Sequence, residues 1–418
     1  MNGFLTLKQL KRRYFTITSL FWFATVLPAA TLVLFTQARG LDLLQIGFIF
    51  GTYSLTVVLL EIPTGGLADT VGRKRVTLMA IGITLISQLV LACAFSLWQF
   101  FVFALLAGTG RALISGAPEA WFIDGLKTLD ADIDIQPPLA QAEVFATLSL
   151  AVATLSGSFL PDLFSHLPPT ETALIAPLTI PIFASALCFT LLGIVVYVLM
   201  LEPRTQPDSN EPSGLSALPK LLKEAVAMST GSKIIPLLLL AALSSGFVLS
   251  GLETFWQPFF KNLLGDTEGR TYLFGFIFSG SFALISVGSL VSIPLSKLLR
   301  KRYALVAALA EAAQASFLIL LALQTNILAA APLFWLVYFS RGVMNSPSST
   351  LINNEIPSDK RSSILSIRSL ALSLGGVLGS VVLGFVADRF SLSFAWIVAG
   401  VGVLVAVMCY LLIEKQER

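Results

Sequence analysis

A chain of 418 residues that is 56% hydrophobic and 12% charged has too little polar surface to coat a water-facing globule, because ordinary soluble domains carry about 25% charged residues. Its net charge of +3 gives no reason to expect a nucleic-acid partner. The single histidine, His166, and the three cysteines, Cys93, Cys188 and Cys409, each in a separate apolar run, provide no catalytic triad, metal-ligand set or disulfide framework, so neither enzyme chemistry nor a cofactor is expected.

Lipid is the solvent this composition fits. A hydrocarbon core about 30 Å thick needs roughly 20 apolar residues per helix, and at about 35 residues per helix and loop a chain of this length holds about twelve. Lys8, Lys11, Arg12 and Arg13 precede the first apolar run in the manner of a secretory leader. That run is too long for a leader and lacks a small-residue cleavage site, so it reads as a retained first span.

In chain order the apolar runs place spans at 14–36, 44–68, 75–97, 98–123, 139–162, 173–201, 234–260, 271–297, 303–324, 327–352, 363–387 and 392–413. Continuous runs of this length are helical, whereas the strands of a membrane barrel alternate over about ten residues. The expected fold is an all-α membrane protein of twelve transmembrane helices in two pseudo-symmetric six-helix halves.

Basic residues fall in every second loop. With the N-terminus inside, the inner loops hold the Lys8 to Arg13 cluster, Arg73, Lys74, Arg75, Lys127, Arg204, Lys220, Lys223, Lys233, Lys297, Arg300, Lys301, Arg302, Lys360, Arg361, Lys415 and Arg418. The outer loops hold only Arg39, Lys261, Arg270 and Arg389. This asymmetry predicts both termini in the cytoplasm and residence in the inner or plasma membrane.

Residues 202–233 break the apolar pattern with Glu202, Pro203, Pro207, Asp208 and Pro212, followed by Leu215, Leu218, Leu221, Leu222, Ala225 and Val226 at helical spacing. This reads as a linker followed by a short amphipathic helix on the inner membrane face. The halves are therefore 1–201 and 234–418. They echo one another: Gly47-Phe48-Ile49-Phe50 recurs as Gly275-Phe276-Ile277-Phe278, and Arg111 and Arg341 each lie in the fourth helix of a half, as parallel repeats of a transporter would leave them.

Between the second and third spans runs Gly65-Gly66-Leu67-Ala68-Asp69-Thr70-Val71-Gly72-Arg73-Lys74-Arg75. This resembles the signature loop G-x-L-A-D-R-x-G-R-K of the major facilitator superfamily, with Thr70 in place of the usual basic residue. Span number, central linker and halves extend the likeness over the whole chain. The resemblance implies that Gly65, Gly66, Asp69, Gly72, Arg73 and Lys74 brace an inner gate. Asp69 would then lie near the start of helix 11, where Arg361 and Arg368 stand, and Arg73 would reach Asp124 at the inner end of helix 4. A topology signal alone would also account for the basic triplet.

Helix 4 carries Arg111, Gly116, Ala117, Pro118 and Glu119. This partly matches the family's R-x-x-x-G-x-G-A pattern, in which the arginine is associated with proton relay, but the spacing is longer by one and the second glycine is missing. Helix 5 lacks the spacing typical of drug/proton antiporters. In helix 11, Gly375, Gly376, Gly379 and Gly384 read as packing residues.

Ionisable side chains in a bilayer are costly unless paired or hydrated, so those that occur are candidates for function. Arg111, Glu119, Glu253, Arg341 and Glu61 are the candidates for solute or proton coupling, with a structural ion pair as the alternative for the two arginines and an outer-gate bond for Glu253; Glu311, on a helix the resemblance places at the periphery, reads as structural. No metal is implied. The expected activity is secondary active transport by alternating access, with proton-coupled export of a small amphipathic compound as a monomer in the lipid bilayer. An organic-anion carrier, an uncoupled facilitator, and a non-transporting receptor or assembly factor on the same fold are the alternatives.

Overall fold

The computed structural model describes residues 6–65, 67–130, 133, 135–201, 232–265, 269–355 and 361–416. The expected linker and amphipathic helix fall, but for Ser232 and Lys233, outside the described residues. Among the described residues there are helices and turns and no strand. The helices are α1 (Leu7–Val26), α2 (Leu32–Ala38), α3 (Leu43–Gly65), α4 (Leu67–Val71), α5 (Arg73–Ala92), α6 (Leu97–Ile114), α7 (Ala117–Leu129), α8 (Gln136–Leu163) and α9 (Ile180–Leu199). After them come α10 (Ile234–Leu264), α11 (Tyr272–Leu298), α12 (Tyr303–Ala322), α13 (Ile327–Glu355), α14 (Arg361–Arg389) and α15 (Leu392–Gln416).

Eleven stretches of the described residues are long and apolar enough to cross a membrane. The interrupted pair α1 and α2 occupies the place of the remaining span. Thr6 caps α1 reciprocally with Gln9, so the helix starts ahead of the apolar run and carries Lys8, Lys11, Arg12 and Arg13 on its first turns. Pro28, which has no amide hydrogen to donate, sits in the break that follows, and Thr31 donates to the Pro28 carbonyl at 3.0 Å in a tightened turn. The expected first span, 14–36, is thus two helices and not one.

Two compact units emerge. The first comprises Met1–Arg39, Thr56–Ala217 and Glu268–Gly275; the second comprises Gly40–Leu55, Leu218–Thr267 and Phe276–Arg418. In the first, α1 packs on α8 and α9, and α5 packs on α6 and α9. The second repeats this plan, with α10 on α14 and α15, and α12 on α13 and α15. Each unit closes around its own apolar core: Tyr14, Phe122, Phe189 and Leu192 in the first, and Leu238, Ala307, Leu351 and Tyr410 in the second. Tyr14 and Phe122 stack with ring centroids 4.1 Å apart and planes 7° from parallel.

Between lipid-solvated helices the hydrophobic effect contributes little, and close packing of small residues decides which faces meet. The α10–α14 seam is built this way. A Cβ at Gly375 would strike the Leu243 carbonyl, one at Gly379 the Phe247 carbonyl, and one at Gly246 the Leu372 carbonyl. Of the helix 11 glycines read as packing residues, Gly375 and Gly379 meet the backbone of α10 and Gly384 that of α3, whereas Gly376 has only ordinary contacts.

Candidate functional site: charged groups within the apolar helices

In the first unit the fourth span is broken. Ser115 caps α6 in an extended conformation, and Gly116 follows at φ 79°, ψ −25°, a left-handed backbone that glycine adopts without steric cost. Pro118 occupies the first turn of α7, where its missing N–H would have had no intrahelical partner. The break leaves carbonyls at the end of α6 and amides at the start of α7 without helical partners. Such ends are tolerated at membrane depth where side chains meet them or a cavity is lined.

The Ser115 hydroxyl donates to Glu61 Oε1 of α3 at 3.3 Å. Arg111, in the last turn of α6, holds its guanidinium 5.8 Å from the ring centroid of Trp22 on α1. Glu119 is exposed in the first turn of α7, where the helix dipole favours a negative charge, and its charge acts on Tyr14. Glu61 and Arg111 therefore converge on the helix break, Glu61 through Ser115 and Arg111 through its position one turn before it. Trp22 and Ser115 were not among the sequence candidates; the Ser115-Gly116 pair with Pro118 two residues on was the signal that could have singled out the serine.

A cavity of about 1010 Å³ lies along α1 and α8. Leu7, Phe15, Leu20, Phe23 and Phe145 give it apolar walls, Thr16, Ser19 and Ser149 add hydroxyls, and Lys8, Lys11 and Arg12 sit at one end.

Arg73 opens α5 and is ion-paired with Asp124 of α7. Lys74 donates to the Tyr197 carbonyl at 2.6 Å and lies 4.8 Å from the Tyr197 ring centroid. Gly72 joins α4 to α5 at φ 104°, ψ 136°, a conformation essentially reserved to glycine. Gly65 ends α3 and the backbone of Asp69 lies within α4. Gly66 and the side chain of Asp69 lie outside the described residues, as does the side chain of Arg361 at the start of α14. Arg368 donates to Ser348 Oγ of α13 at 3.4 Å.

In the second unit Glu253 of α10 is exposed, while each of the next seven residues, Thr254 to Phe260, is buried. Trp256 and Phe260 pack with Phe334 in an aromatic cluster, at centroid distances of 5.5 Å to 6.3 Å, which fixes this end of α10. Arg341 of α13 attracts Glu253 and also Glu311 of α12. Glu311 is 1% exposed and accepts from Ser245 Oγ of α10 at 3.0 Å. Tyr410 of α15 acts electrostatically with Glu311 and Arg368 and donates to Ser348 at 2.9 Å.

The reading of Glu311 as a peripheral residue missed this neighbourhood. The available signal was the run of small residues around it, Ala304, Ala307, Ala308, Ala310, Ala312, Ala313 and Ala315, which lets α12 pack closely against α13 and α15.

Comparisons with known proteins agree with this architecture. The family model described as Major Facilitator Superfamily matches residues 14–379 and 273–418. A relative from Bacillus subtilis (strain 168), described as the uncharacterized MFS-type transporter YxaM, is 20% identical over 395 residues, which is 92% of this chain and 90% of that one. The crystal structure of nucleoside transporter NupG superposes with a TM-score of 0.74 at 16% identity, covering 97% of this chain and 98% of that one. A bacterial homologue of the human lysosomal transporter Spinster, in its inward-facing and occupied conformation, gives 0.76 at 14% identity, covering 98% and 97%. At such identities the structural likeness speaks for the fold. Family match and helical architecture together place this chain in the Major Facilitator Superfamily, as an integral membrane transporter of a small-molecule solute.

Proposed function

We propose that the chain is a proton-coupled secondary transporter that exports a small amphipathic compound by alternating access. The observation that carries the reading is the buried Glu311 of α12, 1% exposed and bonded to Ser245 of α10, in a unit whose apolar helices also hold Glu253 and Arg341. Charge inside a membrane helix is costly and marks solute paths or proton relays. Arg111, Glu61 and Glu119 serve the first half in the same reading.

The halves 1–201 and 234–418, joined by the linker 202–233, move relative to one another, with both termini cytoplasmic and the protein in the inner or plasma membrane as a monomer. Gly65, Gly66, Asp69, Gly72, Arg73, Lys74, Asp124, Arg361 and Arg368 form the inner gate, a role supported by the Arg73–Asp124 ion pair. A second reading, an organic-anion carrier, is favoured by the three cations at one end of the α1–α8 cavity. The human organic anion transporter MFSD10 shares the fold, with a TM-score of 0.64 at 16% identity over 96% of this chain and 99% of that one. Reconstitution into liposomes holding a pH-sensitive dye separates the two. Export predicts that a transported solute drives counter-movement of protons; anion carriage without coupling predicts flux at constant luminal pH.

A further inference from the structure

We propose that Glu311 holds the transported proton, in a buried site built with Ser245 of α10. The inference rests on the proton-coupled reading above and assigns the proton to a residue of the helix α12.

Glu311 and Glu253 belong to the same unit but have opposite surroundings. Glu311 is 1% exposed. One of its oxygens accepts from Ser245 at 3.0 Å, and the other is buried with no hydrogen-bond partner among the described residues. An ionised carboxylate with a bare oxygen in dry surroundings is strongly disfavoured. A proton on that oxygen removes the charge for which no donor is present. Glu253, by contrast, is exposed on the surface of the unit.

The groups around Glu311 come from every helix packed on α12. Ser245 comes from α10, and Arg341 from α13. Tyr410, from α15, has its hydroxyl engaged by Ser348, which also receives Arg368 of α14; Cys409 adjoins Tyr410 and acts on it. Tyr338, one turn before Arg341, is buried with a hydroxyl lacking a partner among the described residues and feels both Glu253 and Arg341. In the closed site Glu311 keeps its proton. When alternating access opens the site to water, the O–H bond breaks, the proton leaves to water, and Ser245 continues to donate to the carboxylate left behind. Ser245 is a positioning residue in this scheme.

The test is an infrared difference spectrum of the purified full chain between acidic and alkaline buffer, together with solute accumulation in proteoliposomes driven by an imposed pH gradient. The proposal predicts a protonated-carboxyl band that E311Q abolishes and E253Q retains. It further predicts that E311Q loses pH-driven accumulation while keeping solute counterflow. Ser245→Ala, which leaves the carboxyl in place, should shift the pH midpoint of the band without removing it. A band untouched by E311Q, or a midpoint unmoved by Ser245→Ala, would overturn the site. If wild-type protein moves solute without protons yet E311Q still removes the band, the coupled reading fails, and Glu311 is a protonated structural carboxyl that carries no transported proton. If coupling persists in E311Q, the reading stands and the site fails.

Discussion

Arg73, the first residue of α5, is ion-paired with Asp124 of α7, 51 positions along the chain. With the Asp124 side chain 62% exposed, an ion pair of this kind contributes only about 0–1 kcal/mol to stability. Its value must then lie in which conformation it favours. Asp124→Asn is expected to leave the thermal unfolding temperature in detergent nearly unchanged and to lower solute turnover. The exchanged pair Arg73→Asp with Asp124→Arg should restore turnover toward wild type, as measured by transport in proteoliposomes.

Gly72 supplies the turn that lets Arg73 begin a new helix. Its φ of 104° makes Gly72→Ala cost about 1–3 kcal/mol in backbone strain. The expected result is a lower melting temperature together with reduced transport. Asp69→Asn is instead expected to impair transport with expression and melting unchanged; unaltered turnover would remove Asp69 from the gate.

The α10–α14 seam offers a packing test. A methyl group at Gly375 meets the Leu243 carbonyl, which is backbone and cannot rotate away. Gly375→Ala should therefore destabilise by about 1–3 kcal/mol, the usual cost of overpacking. Gly376→Ala, where the nearest atom to an added Cβ lies 3.8 Å off, should be nearly neutral. Melting curves of the two variants side by side give the comparison.

The first unit makes its own prediction. Arg111 faces Trp22, and Glu61 is reached by Ser115 at the break of the fourth span. If this break lines the solute path, Ser115→Ala and Trp22→Phe will raise the half-saturating solute concentration with little change in melting temperature. Glu119→Gln, at an exposed helix start, is expected to alter the pH dependence of transport only if Glu119 itself carries protons.

The spans were legible because a helix crossing lipid must be an unbroken apolar run, and the charged loops between them are sharp. The pairing of Arg73 with Asp124 was legible through the signature loop, since each residue sits at the expected inner end of a span, Arg73 before the third and Asp124 after the fourth. The breaks at Pro28 and Gly116 were not: Pro28 lies inside a run that stays apolar, and Ser115, Gly116 and Pro118 lie in a stretch, Leu97–Leu129, whose mean hydropathy still reads as one span. Glu311 was visible as an acid in a span, but its partners Ser245, Arg341 and Tyr410 come from three other helices, and one-dimensional spacing carries no trace of that convergence. The equivalence expected of Arg111 and Arg341 also has a limit that only coordinates supply. Arg111 lies in the last turn of α6, just ahead of the break at Ser115-Gly116, whereas Arg341 lies within the continuous α13.

The central claim is that charges inside the apolar helices couple solute to protons, with Arg341 among the groups required. Its most direct test is the luminal pH of proteoliposomes while a panel of amphipathic solutes is offered to wild type and to Arg341→Ala. The account predicts a luminal pH change that accompanies each transported solute in wild type and disappears in the variant. Solute flux in wild type at constant luminal pH, or an unchanged pH response in Arg341→Ala, would contradict it.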